Sequence, residues 1–311
     1  MADTPSHPIH TPDVLVVGEA LVDIVHRANG TVDAKPGGSP ANVALTLGRL
    51  ERSPRLLTSL SNDAHGVMVK AWLEESSVAV EGEVAERTST AAAHLDEHGA
   101  ASYDFAITWD LGDSVSEGSP DALHIGSIAA VLAPGAEAVA RLVERHRGRA
   151  LISYDPNIRP SLVDDEESVR SQVAALRAQA DVVKASDEDV SWLHPGEDVL
   201  AVARQWAADG PSLVVITLGS EGALAVLRGE VLRIPGVPVT VVDTVGAGDT
   251  FMGALIDGLL TAGVYGPLVQ RALAELGTDD VDSILRRSAA AAAVTVSRPG
   301  ADPPRRAELD G

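Results

Sequence analysis

Cysteine is absent from the 311-residue chain. No disulfide framework and no thiolate metal site can form, which fits a reducing, cytoplasmic setting. Basic side chains are scarce: 24 Lys and Arg stand against 45 Asp and Glu, for a formal net charge of −21. A surface of that sign repels phosphate backbones, so no nucleic-acid partner is expected, and an anionic substrate must be held by local positive groups. Long hydrophobic runs are missing too. Stretches such as Ala289 to Val296 are far shorter than a membrane span and read as buried helix, so no membrane partner is expected. The opening MADTPSHPIHTPD has neither a basic start nor an apolar core. Residues 1–12 are therefore read as a disordered lead-in, broken by Pro5, Pro8 and Pro12, and not as a secretion signal. Neither common nucleotide fingerprint occurs: there is no GxxxxGK phosphate loop, and no GxGxxG following a strand.

Apolar residues make up 45% of the chain, enough for one large core with a small accessory unit. Strand-like runs at Asp13–Val17, Arg55–Leu60, Leu123–Ile125, Ala150–Tyr154, Ala180–Val183 and Leu213–Ile216 alternate with helical stretches at 39–50, 65–75, 134–145, 167–178 and 199–208. Strand and helix in alternation predict an α/β fold, a mainly parallel central sheet with helices on both faces. Ser39 is read as the cap of the 39–50 helix, with Pro40 at its first position. Ala20 to Lys35 and Thr88 to Asp110 break the pattern with short strands and no helix, and predict a small second sheet. Asp96-Glu97-His98-Gly99 is read as its hairpin turn. The Pro- and charge-rich end, Pro299 to Gly311, is read as surface, with residues 304–311 as a tail.

Three segments could carry chemistry. In Asp243-Thr-Val-Gly-Ala-Gly-Asp-Thr-Phe251, the residues Gly246, Ala247 and Gly248 let the backbone approach a ligand just before an apolar helix. The first amides of such a helix have no internal partner and bind anions. Asp249 is either a plain helix cap or a charged group placed at that anion site. In Pro36-Gly-Gly-Ser-Pro-Ala-Asn-Val-Ala44, Gly37 and Gly38 lead into a helix whose first turn carries Asn42, with one acceptor and two donors; the alternative is an ordinary helix start. In Gly18-Glu-Ala-Leu-Val-Asp23, Asp23 lies just beyond the first strand, where a carboxylate can accept two hydroxyls of a polyol or simply face solvent.

Taken together, the second and first of these segments, some two hundred residues apart, resemble the two signatures of the ribokinase-like sugar kinases, the phosphofructokinase-B family. GEALVDIV at 18–25, DPNIRPSL at 155–162, TLGSEGA at 217–223 and RPGA at 298–301 follow in the family's order. The resemblance spans roughly Val14 to Pro303, within a kinase domain at 13–303, and implies an αβα sandwich with a β lid from about 20–35 and 88–110. It implies ATP-dependent phosphorylation of a sugar hydroxyl, with Asp249 accepting the hydroxyl proton and Gly246, Ala247 and Gly248 forming the anion hole. Asp23, Gly37, Gly38 and Asn42 are then sugar ligands, Arg159 reaches a sugar oxygen or a phosphate, and Trp109 in the lid would stack on a sugar face. Thr217, Gly219 and Gly222 lie along the nucleotide.

The resemblance further implies Mg²⁺, and K⁺ beside the anion hole at Asp243 and Val245. A homodimer through the lid is the implied assembly. One element departs: where the family often has Asn-x-x-Glu near the metal, this chain has Ser186 and Asp189. Members resembling fructokinases often carry that pair, so Asp189 is expected at the metal and Ser186 near the nucleotide. GGSPANVA, in place of the GGKGAN usual in ribokinases, points to fructose. The rival substrate is 2-keto-3-deoxygluconate, and a non-catalytic sugar-binding relative is the rival class. A nucleoside kinase is disfavoured because aromatics are only 3% of the chain.

Overall fold

The computed structural model describes residues 10–27, 29–95, 101–112 and 118–310. In chain order its elements are β1 (Val14–Val17), β2 (Leu21–His26), β3 (Val32–Gly37), α1 (Ser39–Arg49), β4 (Arg55–Leu57), α2 (Ala64–Glu74), β5 (Ala79–Glu81), β6 (Ser89–Leu95), β7 (Ala101–Ala106) and β8 (Ala122–Gly126). Then come α3 (Gly135–His146), β9 (Leu151–Asp155), α4 (Glu166–Arg177), β10 (Val182–Ser186), α5 (Asp187–Leu193), α6 (Val199–Ala208), β11 (Leu213–Thr217), β12 (Gly222–Leu227) and β13 (Glu230–Pro235). The chain ends with α7 (Ala247–Thr261), α8 (Val269–Glu275), α9 (Thr278–Val296) and α10 (Arg306–Leu309).

Nine strands form the main sheet in the order β13-β12-β11-β10-β9-β8-β1-β4-β5. From β5 to β11 neighbours run parallel, and β12 and β13 close one edge antiparallel. The inner strands are buried on both faces, so they read as near-continuous apolar runs such as Leu213-Val-Val-Ile216. Two apolar layers flank them, one built on α1, α2, α7 and α9, the other on α3 to α6. Trp206 is fully buried in the second layer, and Trp192 lies half-buried against it under the Arg170 guanidinium. Among the described residues no single helix is long and apolar enough to cross a membrane.

The segments that break the strand–helix rhythm build a separate four-stranded sheet, β3-β2-β6-β7, in which β2 pairs parallel with β6. The turn read at Asp96–Gly99 lies outside the described residues, as does the lead-in up to residue 9. The end of the chain is not a loose tail. Arg306 donates to Leu50 O and pairs with Asp257, while Arg298 pairs with Asp302 and Glu308, so α10 is fastened across the ends of α1 and α7.

Strand order reverses between β1 and β8. The chain leaving β1 next enters the main sheet at β4, on one side, and the chain leaving β8 enters it at β9, on the other. In an open α/β sheet the crevice beyond the carboxyl ends of such a strand pair is the usual ligand site.

Candidate active site

Helices α1 and α7 lie against each other, and a Cβ at Gly253 would fall 2.7 Å from Thr46, so that glycine sets how closely they approach. Their N-termini consequently converge at the crevice. Asp249 is the third residue of α7, buried, and it caps nothing: its Oδ1 accepts the Ser39 hydroxyl at 2.7 Å and its Oδ2 accepts the Asn42 amide at 2.7 Å. The cap of α7 is Gly246, held at φ 75° with Ala301 packed where a side chain would go. The amides of Ala247, Gly248 and Asp249 follow in the first turn, where an α-helix supplies no partners, and that of Ala247 makes a long bond to Thr244 O at 3.3 Å.

The first signature is arranged differently from the sequence expectation. Gly38, at φ 103°, caps α1, and Ser39 is its first helical residue. Ser39 therefore spends its hydroxyl on Asp249, 210 residues away, and not on its own helix. Asn42 gives its NH₂ to Asp249, and its Oδ1 is buried with no partner. Asp23, half-buried on β2, faces Gly37 so closely that a Cβ there would meet its Oδ2 at 2.2 Å. Burial raises its pKa, Arg159 opposes that, and Asp249 adds to it, so Asp23, Arg159 and Asp249 share one electrostatic environment. The Arg159 guanidinium is exposed and donates to the Asn157 side chain at 2.6 Å.

Two sequence expectations are corrected. Trp109 is 2% exposed, packed in the core beside Gly135 with its indole N–H on Ala129 O at 3.0 Å, so neither ring face is open to a sugar. Asp189 is not an open metal ligand. Its Oδ1 accepts the Ile158 amide, and its Oδ2 accepts both the amide and the hydroxyl of Ser186. The pair is a capping box at the start of α5, and Asp189 also pins the loop that carries Arg159. Asp243 ties two loops together, accepting Val245 N at 3.0 Å and Gly300 N at 2.8 Å. Thr217 ends β11, and the short turn beyond it runs from Gly219 to Gly222, where β12 begins.

Lys184 and Asp155 had no assigned role from sequence. Lys184 interrupts the apolar run of β10 and is buried, with its Nζ 2.8 Å from Asp155 Oδ2 at the end of β9. A Cβ on Gly248 would lie 2.9 Å from that ammonium, so Lys184 borders the N-terminus of α7. Burial pushes Asp155 up to about 6 against the pull of Lys184, and its Oδ1 is buried with no partner. A charge inside a buried strand was the available signal, but its target lies on another strand and another helix.

The site thus has a buried carboxylate, a helix N-terminus, a buried ammonium and buried acceptors without donors. Residues 11–307 match the pfkB family carbohydrate kinase. The chain belongs to this family. A fructokinase of Rhizobium leguminosarum bv. trifolii is 35% identical over 283 residues, covering 84% of this chain and 85% of the relative. A fructokinase of Xylella fastidiosa with bound ATP superposes with a TM-score of 0.85 at 26% identity, covering 96% of this chain and 98% of that one. A fructokinase double mutant of Vibrio cholerae O395, bound to fructose, ADP and potassium ion, gives a TM-score of 0.81 at 25% identity, covering 96% and 97%. The ribokinase-like αβα fold expected from the motifs is the fold found, and the protein is an ATP-dependent carbohydrate kinase.

Proposed function

We propose that the kinase phosphorylates the primary hydroxyl of fructose, with Asp249 as the base. The observation that carries this reading is the pair of open acceptors beside Asp249: the partnerless, buried Asn42 Oδ1, and the Asp23 carboxylate, which makes no hydrogen bond among the described residues. Buried acceptors without donors are costly unless a ligand supplies them, and a polyol supplies several. Asp23 and Asn42 hold hydroxyls that do not react, and the small sheet of β2, β3, β6 and β7 is the lid over them. The reacting hydroxyl rests against Asp249, which takes its proton as the new bond to phosphorus forms. The terminal phosphoryl group lies against the first-turn amides of α7, with the Lys184 ammonium beside them, so the developing charge meets fixed donors. Thr217, Gly219 and Gly222 line the nucleotide.

A divalent ion fits this site only as a shared ligand. Among the described residues no group of three or more metal-ligating side chains exists, and Asp155 Oδ1 is the open buried carboxylate oxygen. That suits Mg²⁺, which keeps waters and substrate phosphates as most of its ligands. When bound it would neutralise phosphate charge. Asp155 takes the place expected of Asp189 as the acid facing it. K⁺ belongs near Asp243 and Val245, and two copies joined through the lid complete the reading.

The relatives named fructokinase support fructose. Arg159, whose guanidinium has no acidic partner in contact among the described residues, keeps 2-keto-3-deoxygluconate as the rival, since that substrate carries a carboxylate. A coupled assay over fructose, glucose, ribose, 2-keto-3-deoxygluconate and adenosine decides between them. Fructose is expected to give the highest kcat/KM. A clear preference for the keto acid, with fructose near background, overturns the assignment.

A further inference from the structure

Glu19 leaves β1 at the strand-order reversal and is buried in the floor of the crevice. Its Oε2 accepts the Ala129 amide at 3.1 Å, and the Ser127 hydroxyl lies near its carboxylate. Ser127 is held at φ 56° and ψ −149°, backbone that is open almost only to glycine and persists only where surroundings enforce it. Glu19 and the bond from the Ser127 amide to Asp155 O at 2.9 Å are the enforcing contacts. On its other side Glu19 abuts the first signature. A Cβ at Gly38 would lie 2.6 Å from Glu19 O, and one at Gly18 would lie 2.2 Å from Pro40. One residue therefore touches both segments, its carboxylate holding the strained turn after β8 and its backbone carbonyl lying against the loop that starts α1, and phosphoryl transfer makes no use of it. Among the described residues the charged side chain acting on Glu19 is Arg159, the same guanidinium that acts on Asp23.

We propose that Glu19 is a positioning residue for the sugar: its ionised carboxylate holds the Ser127–Ala130 turn, which lines a cavity together with Arg159, so its charge governs sugar affinity and not nucleotide affinity. The inference rests on the reading that places the sugar at Asp23 and Arg159. Burial pushes Glu19 up to about 7, against its backbone hydrogen bond, the Ser127 and Ala129 contacts and Arg159. Asp23 is within electrostatic reach of both Arg159 and Asp249. His124, buried on β8, is pushed down to about 3 by burial and by Lys184 and stays neutral. Protonating Glu19 removes its attraction for Arg159 and turns one acceptor oxygen into a donor. If only the ionised form is competent, roughly one molecule in eleven is competent at pH 6, and the sugar KM should rise about tenfold from pH 8 to pH 6.

The test measures KM for the sugar selected by the screen, KM for ATP, and kcat, between pH 6 and pH 8, with a thermal melt of each variant. Glu19→Gln keeps an acceptor for Ala129 and Ser127 and loses the charge. Its sugar KM should be raised about tenfold at pH 8 and be flat with pH, with the ATP KM and kcat changed by less than about threefold. A wild-type sugar KM in Glu19→Gln overturns the proposal, and so does a pH dependence that survives in it, which would belong to another acid of the crevice, Asp155 or Asp23. Should Glu19→Gln not fold, Ser127→Ala serves instead, and it must raise the sugar KM while sparing that for ATP; no rise overturns the proposal. Asp23→Ala is the control for the underlying reading. If it leaves the sugar KM unchanged, the sugar-site placement fails, whatever Glu19 does.

Discussion

Asp249→Asn isolates the base more cleanly than a truncation would. In the wild type each carboxylate oxygen accepts one short hydrogen bond, from Ser39 and from Asn42. The substituted amide keeps one acceptor, which the Ser39 hydroxyl can use. Its new NH₂ would face the NH₂ of Asn42, but Asn42 can turn its own amide over, because its Oδ1 is buried without a partner. Both contacts can then re-form as neutral hydrogen bonds. Each loses about 1 kcal/mol relative to a bond with a charged group, so the variant should be destabilised by about 2 kcal/mol at most. A Tm drop of about 3 °C at most follows for a chain of this size. The first-turn amides belong to the α7 backbone and are untouched, so ATP should bind within a few-fold of wild type by calorimetry, and sugar more weakly, because the turned Asn42 presents its NH₂ where Oδ1 was the open acceptor. What disappears is the acceptor for the hydroxyl proton, a contribution of about 10²–10⁴ in kcat. A folded variant that keeps about half the wild-type kcat would show that the proton goes elsewhere, and the role given to the second signature would fail with it.

Lys184→Met should damage both stability and turnover. It strands Asp155 as an unpaired buried acid at a cost of about 3–5 kcal/mol, and adding Asp155→Asn should restore much of the Tm without restoring kcat; a fully active double variant would remove Lys184 from the phosphoryl site. Turnover should be higher in K⁺ than in a bulky organic cation, because an ion near Asp243 and Val245 would brace the loop that leads into the anion hole. Equal rates in K⁺, Na⁺ and the organic cation would refute that placement.

The sequence alone determined the alternation of strand and helix, the two interruptions that become the small sheet, and the glycines ahead of α7. These are local properties: an apolar run buried on both faces, a helix start, a backbone that needs glycine. It also determined the family, because several modest motifs in one order constrain each other. Partnership was decided only by the tertiary structure. Ser39 looked like a cap because capping is what a serine before Pro40 does locally, yet its hydroxyl meets a carboxylate 210 positions away. Trp109 lay in a segment assigned to the lid, and packing drew it into the core. Asp189 was read as a metal ligand, while Asp155, Lys184 and Glu19 went unassigned. Their partners arrive from other strands at the carboxyl edge of the sheet, and a side chain's electrostatic role depends on which groups the fold brings within a few ångströms and on how much water it removes from between them.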